Sequence, residues 1–173
     1  FEIFNFEEDC AGDFTLGAQA ASSGETITIN VDDGWAEDFT SLSEAEIIFN
    51  GGSRGDTVTL GSGNDTITLG GGDDVIEAGA GNDTIDGGDG IDIAIFSGNK
   101  NNYSITETGY AQYQVVDNSG SDGTDTLSNI EIIRFSDQDF DITPSGLNLT
   151  GTTSDDTLSG DSGDDLISGE EGN

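Results

Sequence analysis

The chain has 173 residues, with 36 acidic side chains against 3 basic ones and a formal net charge of -33. Such a charge excludes nucleic acid as a natural partner and disfavours anionic membrane surfaces. The absence of histidine removes the commonest general base and the usual zinc ligand, and no apolar run approaches a membrane span.

The single cysteine, Cys10, permits no internal disulfide and reads as a small, partly buried residue. The length fits one elongated domain or two small ones. Taken in order, Phe1, Ile3, Phe4 and Phe6 suggest a first strand, followed by a loop of small residues from Ala18 to Gly24. Thr26–Val31 alternates cleanly and predicts a strand that Asp32-Asp33-Gly34 ends. Trp35, Phe39 and Leu42 are apolar enough to cover an open end, and Ser41, or Ser43 with Glu46, marks a short helical turn. Glu46–Phe49 is a further strand, and Phe49 lies nine residues before Val58, a spacing that begins the coil here without a metal turn. Residues 1–50 are therefore expected to form an amino-terminal β cap.

From Gly51 the sequence reads GGSRGDTVT, LGSGNDTIT, LGGGDDVIE, AGAGNDTID and GGDGIDIAI, five blocks of nine. Aspartate holds the sixth place of every block (Asp56, Asp65, Asp74, Asp83, Asp92), and Val58, Ile67, Ile76, Ile85 and Ala94 hold the eighth. A fixed short period marks a repeat architecture. The glycine-rich first six places turn the backbone, and the last three form a short strand with its eighth residue inward. Two blocks make one flattened coil, so turn n lies over turn n+2. Asp56, Asp74 and Asp92 then form one column, and Asp65 and Asp83 the opposite one, with coils roughly 4.8 Å apart.

Two carboxylates at about 5 Å repel by about 0.8 kcal/mol even in water, and more when buried. The apolar ladder between the columns is thin, so such a fold needs a staple. A hard divalent cation accepting carboxylate oxygens from two turns, together with backbone carbonyls, supplies it. Six or more oxygens in a flexible cage suit Ca²⁺ better than Mg²⁺.

These blocks resemble the Ca²⁺-binding nonapeptide G-G-x-G-x-D-x-U-x of RTX (repeats-in-toxin) proteins, strongly over 51–95 and again over 151–173. The resemblance implies an all-β fold, a parallel β-roll (right-handed β-solenoid) with β-rich capping segments. It also implies ligands at places two, four and six of one turn and one, three and six of the turn above. One ion would then see Gly52, Arg54, Asp56, Leu69, Gly71 and Asp74. A second would see Gly61, Gly63, Asp65, Ala78, Ala80 and Asp83. A third would see Gly70, Gly72, Asp74, Gly87, Asp89 and Asp92. Arg54 stands where glycine is usual, which puts the conformation of the first turn in question.

After Ile95 the period breaks. Tyr103–Glu107 and Tyr113–Asp117 read as a hairpin around Gly109, with Tyr103, Tyr110 and Tyr113 as its packing residues rather than a sugar-stacking surface. Gly120–Ser128 is a degenerate nonapeptide, with Asp125 as a Ca²⁺ candidate, and Ile130–Phe135 is a strand followed by a turn over Ser136–Asp139. Residues 96–144 form a β-rich closing segment, and Pro144-Ser145-Gly146 marks a boundary. Over 145–173 the repeats restart, with Asp156 and Asp165 at the sixth place and Leu158 and Ile167 at the eighth. The last block stops before its aspartate, so the sequence reads as a fragment of a longer protein, and this second, truncated block needs the rest of that chain or a neighbouring copy to complete a site.

No set of catalytic residues is apparent, and the paired acids are accounted for by metal, so the expectation is not an enzyme but a calcium-binding structural module. The resemblance implies a secreted protein, exported unfolded through a type I channel and folding in extracellular Ca²⁺, as part of a large adhesin, surface-layer or matrix protein. The alternative is the carboxyl-terminal folding and secretion module of an exported protease- or epimerase-like enzyme. An ice- or surface-binding solenoid is disfavoured, because Thr57/Thr59 and Thr66/Thr68 fall on opposite faces and Val75/Glu77 follows on the first. The expected partners are calcium ions, with no nucleic acid and no direct membrane insertion.

Overall fold

The computed structural model describes residues 2–6, 26–31, 36–40, 45–143, 148–150 and 166–168. Cys10, the loop 18–24, Asp32 to Trp35, the helical turn at Ser41 and Ser43, Leu42, the boundary at 144–146, and Asp156, Leu158 and Asp165 lie outside the described residues. The described residues run through sixteen strands. They are β1 (Glu2–Phe6), β2 (Thr26–Val31), β3 (Ala36–Asp38), β4 (Glu46–Asn50), β5 (Thr57–Thr59), β6 (Thr66–Gly71), β7 (Val75–Glu77) and β8 (Thr84–Asp89), followed by β9 (Ile93–Ile95), β10 (Tyr103–Gly109), β11 (Gln112–Asp117), β12 (Thr124–Ser128), β13 (Ile132–Arg134), β14 (Asp139–Asp141), β15 (Asn148–Thr150) and β16 (Leu166–Ser168). The chain divides into two compact units, Phe1–Ile142 and Thr143–Asn173.

The first unit is a β-solenoid of two sheets. One runs β1-β2-β4-β6-β8-β12-β11-β10 and the other β14-β13-β9-β7-β5-β3, so successive strands alternate between sheets through the repeats. Pairing is parallel at a separation of eighteen residues: Thr57 faces Val75, Val75 faces Ile93, and Thr66 faces Thr84. That separation is two nonapeptides, the coil expected from the period. The eighth-place residues Val58, Ile67, Ile76, Ile85 and Ala94 are all buried, as are Leu60, Leu69 and Ala78 at the first place. The threonines at places seven and nine stay exposed or half-buried.

The roll extends beyond the repeats in both directions. At the amino end β2 pairs with β4 and β4 with β6, placing Ile29, Phe49 and Ile67 in one buried ladder. The segment expected as a cap therefore contributes strands to the same sheet, and Phe39 is buried against Phe49 in the apolar interior there. At the other end β12 stacks on β8, with Leu127 over Ile85, and β13 stacks on β9, with Ile133 over Ala94. Neither sheet is interrupted at the expected 95/96 boundary. Each parallel stack then ends antiparallel: the hairpin β10–β11 covers β12, and β14 covers β13. Antiparallel closure moves the exposed edges onto the largely solvent-exposed strands β10 and β14 and off the parallel stack.

Around this closure Phe96, Tyr103 and Phe135 pack with ring centroids 5.0 to 5.9 Å apart. Tyr113 is half-buried and donates to the Ile142 carbonyl at 3.0 Å, whereas Tyr110 is exposed. Arg134 grips Asp139 with two parallel hydrogen bonds of 2.9 and 3.0 Å, tying β13 to β14. Lys100 lies over the rings of Phe135 and Phe140.

In the second unit, β15 and β16 pair in parallel with Leu149 opposite Ile167, again eighteen residues apart. Among the described residues no helix is long and apolar enough to cross a membrane.

Ile76 is fully buried at the centre of its ladder. Ile76→Ala is expected to cost about 2–5 kcal/mol of unfolding free energy in saturating Ca²⁺, and Thr66→Ala on the exposed face no more than about 0.5 kcal/mol. Denaturant titration of both variants checks the inward assignment of the eighth place.

Candidate metal centre

The sixth-place aspartates owe their positions to the turns that precede them. At places two and four of the later turns, Gly70, Gly72, Gly79, Gly81, Gly88 and Gly90 have positive φ. A Cβ on Gly81 would meet the Gly63 carbonyl oxygen at 1.9 Å, so the stacked turns approach through backbone alone. The first two blocks differ: Gly52, Arg54, Gly61 and Gly63 are not among the positive-φ residues. Opposite Gly72 the nearest atoms are Gly55 N and the Arg54 carbonyl carbon, whereas Gly81 and Gly90 face carbonyl oxygens. The Arg54–Gly55 peptide is thus turned relative to its counterparts. An L side chain at place four disfavours the left-handed backbone that glycine adopts in later turns.

Each aspartate is built into the coil above and below. Asp56 N donates to Asp74 Oδ1 at 2.6 Å, Asp74 N to Asp92 Oδ1 at 2.9 Å, and Asp65 N to Asp83 Oδ1 at 2.8 Å. The carbonyls of Asp56, Asp65 and Asp74 accept the N–H of Val75, Thr84 and Ile93 in the coil above. One oxygen per carboxylate remains. Oδ2 of Asp65, Asp74, Asp83 and Asp92 is buried with no hydrogen-bond partner, and Asp56 Oδ2 is buried in the equivalent position. Aspartates at 0–2% exposure holding a solvent-free, unbonded oxygen are costly, because desolvation of a charged acceptor is not repaid.

The columns extend past the nonapeptides. Asp83 N donates to Asp125 Oδ1 at 2.8 Å, and Thr126 faces Thr84, so Asp125 continues the column of Asp65 and Asp83. Asp92 N donates to Glu131 Oε2 at 2.8 Å, which sets Glu131 in the other column, a position the nonapeptide period does not indicate. At the lower end Ile47 N donates to Asp65 Oδ1, so an isoleucine occupies the place where the next acid would stand. Asp122, at place three of the degenerate block, accepts hydrogen bonds from Tyr103 Oη and from Ser97 N and Oγ, and its charge helps to raise Asp83 and Asp125.

The carbonyl ligands expected from the resemblance are partly engaged. Gly52 O and Gly61 O accept the N–H of Gly71 and Ala80, and Asp89 O accepts that of Gly72. A carbonyl oxygen has a second lone pair, so these groups can still face a cation. Gly63, Gly70, Gly71, Gly72, Leu69, Ala78, Ala80 and Gly87 all sit on turns stacked at the eighteen-residue spacing. Among the described residues no three acidic or thiol side chains converge on one point. Each interturn gap offers two carboxylates, so the rest of any coordination shell must be backbone carbonyl and water. That all-oxygen set fits a hard divalent cation and unmet Asp Oδ2 atoms supply its charge; it does not fit a soft metal.

The electrostatics agree. Burial raises Asp65 and Asp92 to about 7, Asp83 to about 6 and Asp125 to about 8, against backbone hydrogen bonds that pull the other way. The neighbouring carboxylates add to the rise, Asp83 acting on Asp65 and Asp125, and Asp74 and Glu131 on Asp92. Asp74 is raised for the same leading reason. Three basic residues cannot neutralise 36 acids from within.

Residues 50–85, 59–94 and 148–173 match the family described as RTX calcium-binding nonapeptide repeat (4 copies). No curated protein matches the chain.

A pH dependence follows from the raised acids. Without metal the folded roll holds protons that the unfolded chain, with ordinary carboxylates near 4, releases. The metal-free fold is therefore most stable below about pH 4 and loses stability as pH rises through about 6–8. With Ca²⁺ the order reverses, since cation and proton compete for the same oxygens. Circular dichroism in chelator and in Ca²⁺ at pH 4, 6 and 8 is expected to show these opposite trends.

Proposed function

We propose that these RTX calcium-binding nonapeptide repeats make the chain a non-catalytic module whose folding is coupled to Ca²⁺ outside the cell. The supporting observation is the set of buried aspartate oxygens without a partner, repeated at every eighteenth residue down the roll. Bound Ca²⁺ supplies the positive charge that the stacked carboxylates lack. Because the unfolded chain does not assemble these gaps, binding free energy becomes folding free energy, about 2.7 kcal/mol per site at a hundredfold excess over Kd.

At low calcium the acidic chain repels itself and stays open; at high calcium the turns close onto their coils. This behaviour suits a polypeptide exported unfolded and folded on arrival. The reading extends to a structural segment of a large secreted adhesin, surface-layer or matrix protein. Two features support a structural role: the column acids are tied into interturn contacts through Oδ1 or Oε2, and at the carboxyl end both sheets are closed by antiparallel strands.

Circular dichroism through a calcium titration tests the proposal, with a cooperative gain of β signal expected. A chelated sample that keeps the same spectrum and Tm as the loaded one overturns it. Asp74 lies between two gaps, with its N–H on Asp92 and its Oδ1 holding Asp56. Asp74→Asn keeps those hydrogen bonds but removes the charge, and it is expected to raise the calcium midpoint roughly tenfold or more. An unchanged midpoint would mean the columns do not carry the cation.

A further inference from the structure

Glu131 does not belong to the nonapeptides. It lies six residues after Asp125 instead of nine, in a turn where the period has failed. Yet it takes the sixth-place contact, with Asp92 N donating to its Oε2. The register shows how. Ser128 stands over Asp86 and Ile132 over Ile93, so the chain spans in four residues what the repeat spans in seven. This turn is three residues shorter than a repeat turn, and the extra methylene of glutamate makes up reach that a shortened turn gives away.

The oxygens around this turn reproduce those of a regular gap. In the first gap a Cβ on Gly51 would meet the Leu69 carbonyl oxygen at 2.1 Å and Asp56 Oδ2 at 2.6 Å. Between the last repeat turn and the short turn, a Cβ on Gly87 would meet the Asn129 carbonyl oxygen at 2.1 Å and Asp92 Oδ2 at 2.5 Å. Asn129 thus stands in for the first-place residue of the missing turn. It reaches that pose with φ of 50°, held by its N–H on Ala111 O and its side-chain amide on Asp86 Oδ1. Asp92 is fully buried, its Oδ1 is taken by Asp74 N, and its Oδ2 has no partner. That orphaned oxygen faces Asn129 and so opens upward, toward the short turn.

We infer that Asp92, Glu131 and the Asn129 carbonyl form a further divalent-cation site, contributed by the closing segment and outside the repeat motif. It takes a hard, oxygen-seeking ion of the Ca²⁺ class and locks the closing strands β12–β14 onto the roll. The inference rests on the calcium reading above and adds one ion to the column of Asp56, Asp74 and Asp92.

The test is Glu131→Gln in the full chain, with Ca²⁺ alone as probe. Glutamine keeps an oxygen for Asp92 N–H and removes only the charge. Equilibrium dialysis counts bound ions per chain, and circular dichroism of the same samples reports folding. The expected result is one ion fewer than in the parent, with the β signal at saturating calcium preserved. Equal ion counts and equal midpoints in parent and variant overturn this site while leaving the calcium reading intact. A parent chain that binds no calcium overturns both. If the variant fails to reach the parent's β signal, Glu131→Asp gives the second arm: it keeps the charge but loses the methylene that spans the short turn, so one ion fewer is again expected, and an ion count and midpoint equal to the parent's overturn the site.

Discussion

The fold depends on a repulsion that the polypeptide does not relieve by itself. Asp56, Asp74 and Asp92 on one side, and Asp65, Asp83 and Asp125 on the other, are stacked one coil apart and shielded from water. Asp56, Asp65 and Asp74 give their N–H to the carboxylate above and their C=O accepts from the strand above, but Oδ2 of Asp65, Asp74, Asp83 and Asp92 has nothing to bond. An ordinary domain avoids burying acids without partners. Here the arrangement is repeated turn after turn, beside an apolar interior built from the eighth- and first-place residues of each block.

The same constraint explains how the roll ends. A parallel stack presents an open edge and a half-built gap at each extremity. At the amino end the Asp65 column meets Ile47, which offers an N–H but no carboxylate, and β2 and β1 carry the sheet on beyond it over buried Ile27 and Ile29. At the carboxyl end both columns finish on an acid, Asp125 and Glu131, and the chain then reverses into antiparallel strands. Aromatic packing of Phe96, Tyr103 and Phe135 holds the reversal, and burial, followed by the hydrogen bond to Asp122, raises the Tyr103 phenol to about 12. Charge-based stacking gives way to conventional packing where the repeat stops.

Most of the roll was legible because its period acts locally. Nine residues with aspartate at the sixth place and an aliphatic residue at the eighth fix turn, strand and facing in each block, and two blocks per coil fix the eighteen-residue register. The hairpin around Gly109 was equally plain, since alternation and a turn glycine are short-range signals. Glu131 was not legible. Its role follows from Ile133 lying over Ala94, a pairing across nearly forty residues of intervening hairpin, and no local spacing reveals it. The nine residues from Phe49 to Val58 already began the coil at Glu46–Phe49 without a metal turn, and β4 pairs with β6 accordingly; the stacking of Thr26–Val31 on β4 was hidden, because no ninefold spacing joins Ile29 to Phe49.

The sequence by itself determined the repeat, its strands, its buried ladder and the acids that face one another, because each of these depends on residues within one coil. Only the tertiary structure decided where the columns begin and end, which oxygen of each carboxylate is left unmet, and how the peptide at Arg54 departs from the later turns. Those features depend on what lies directly above and below a turn, and in a stacked coil that neighbour is a different stretch of chain.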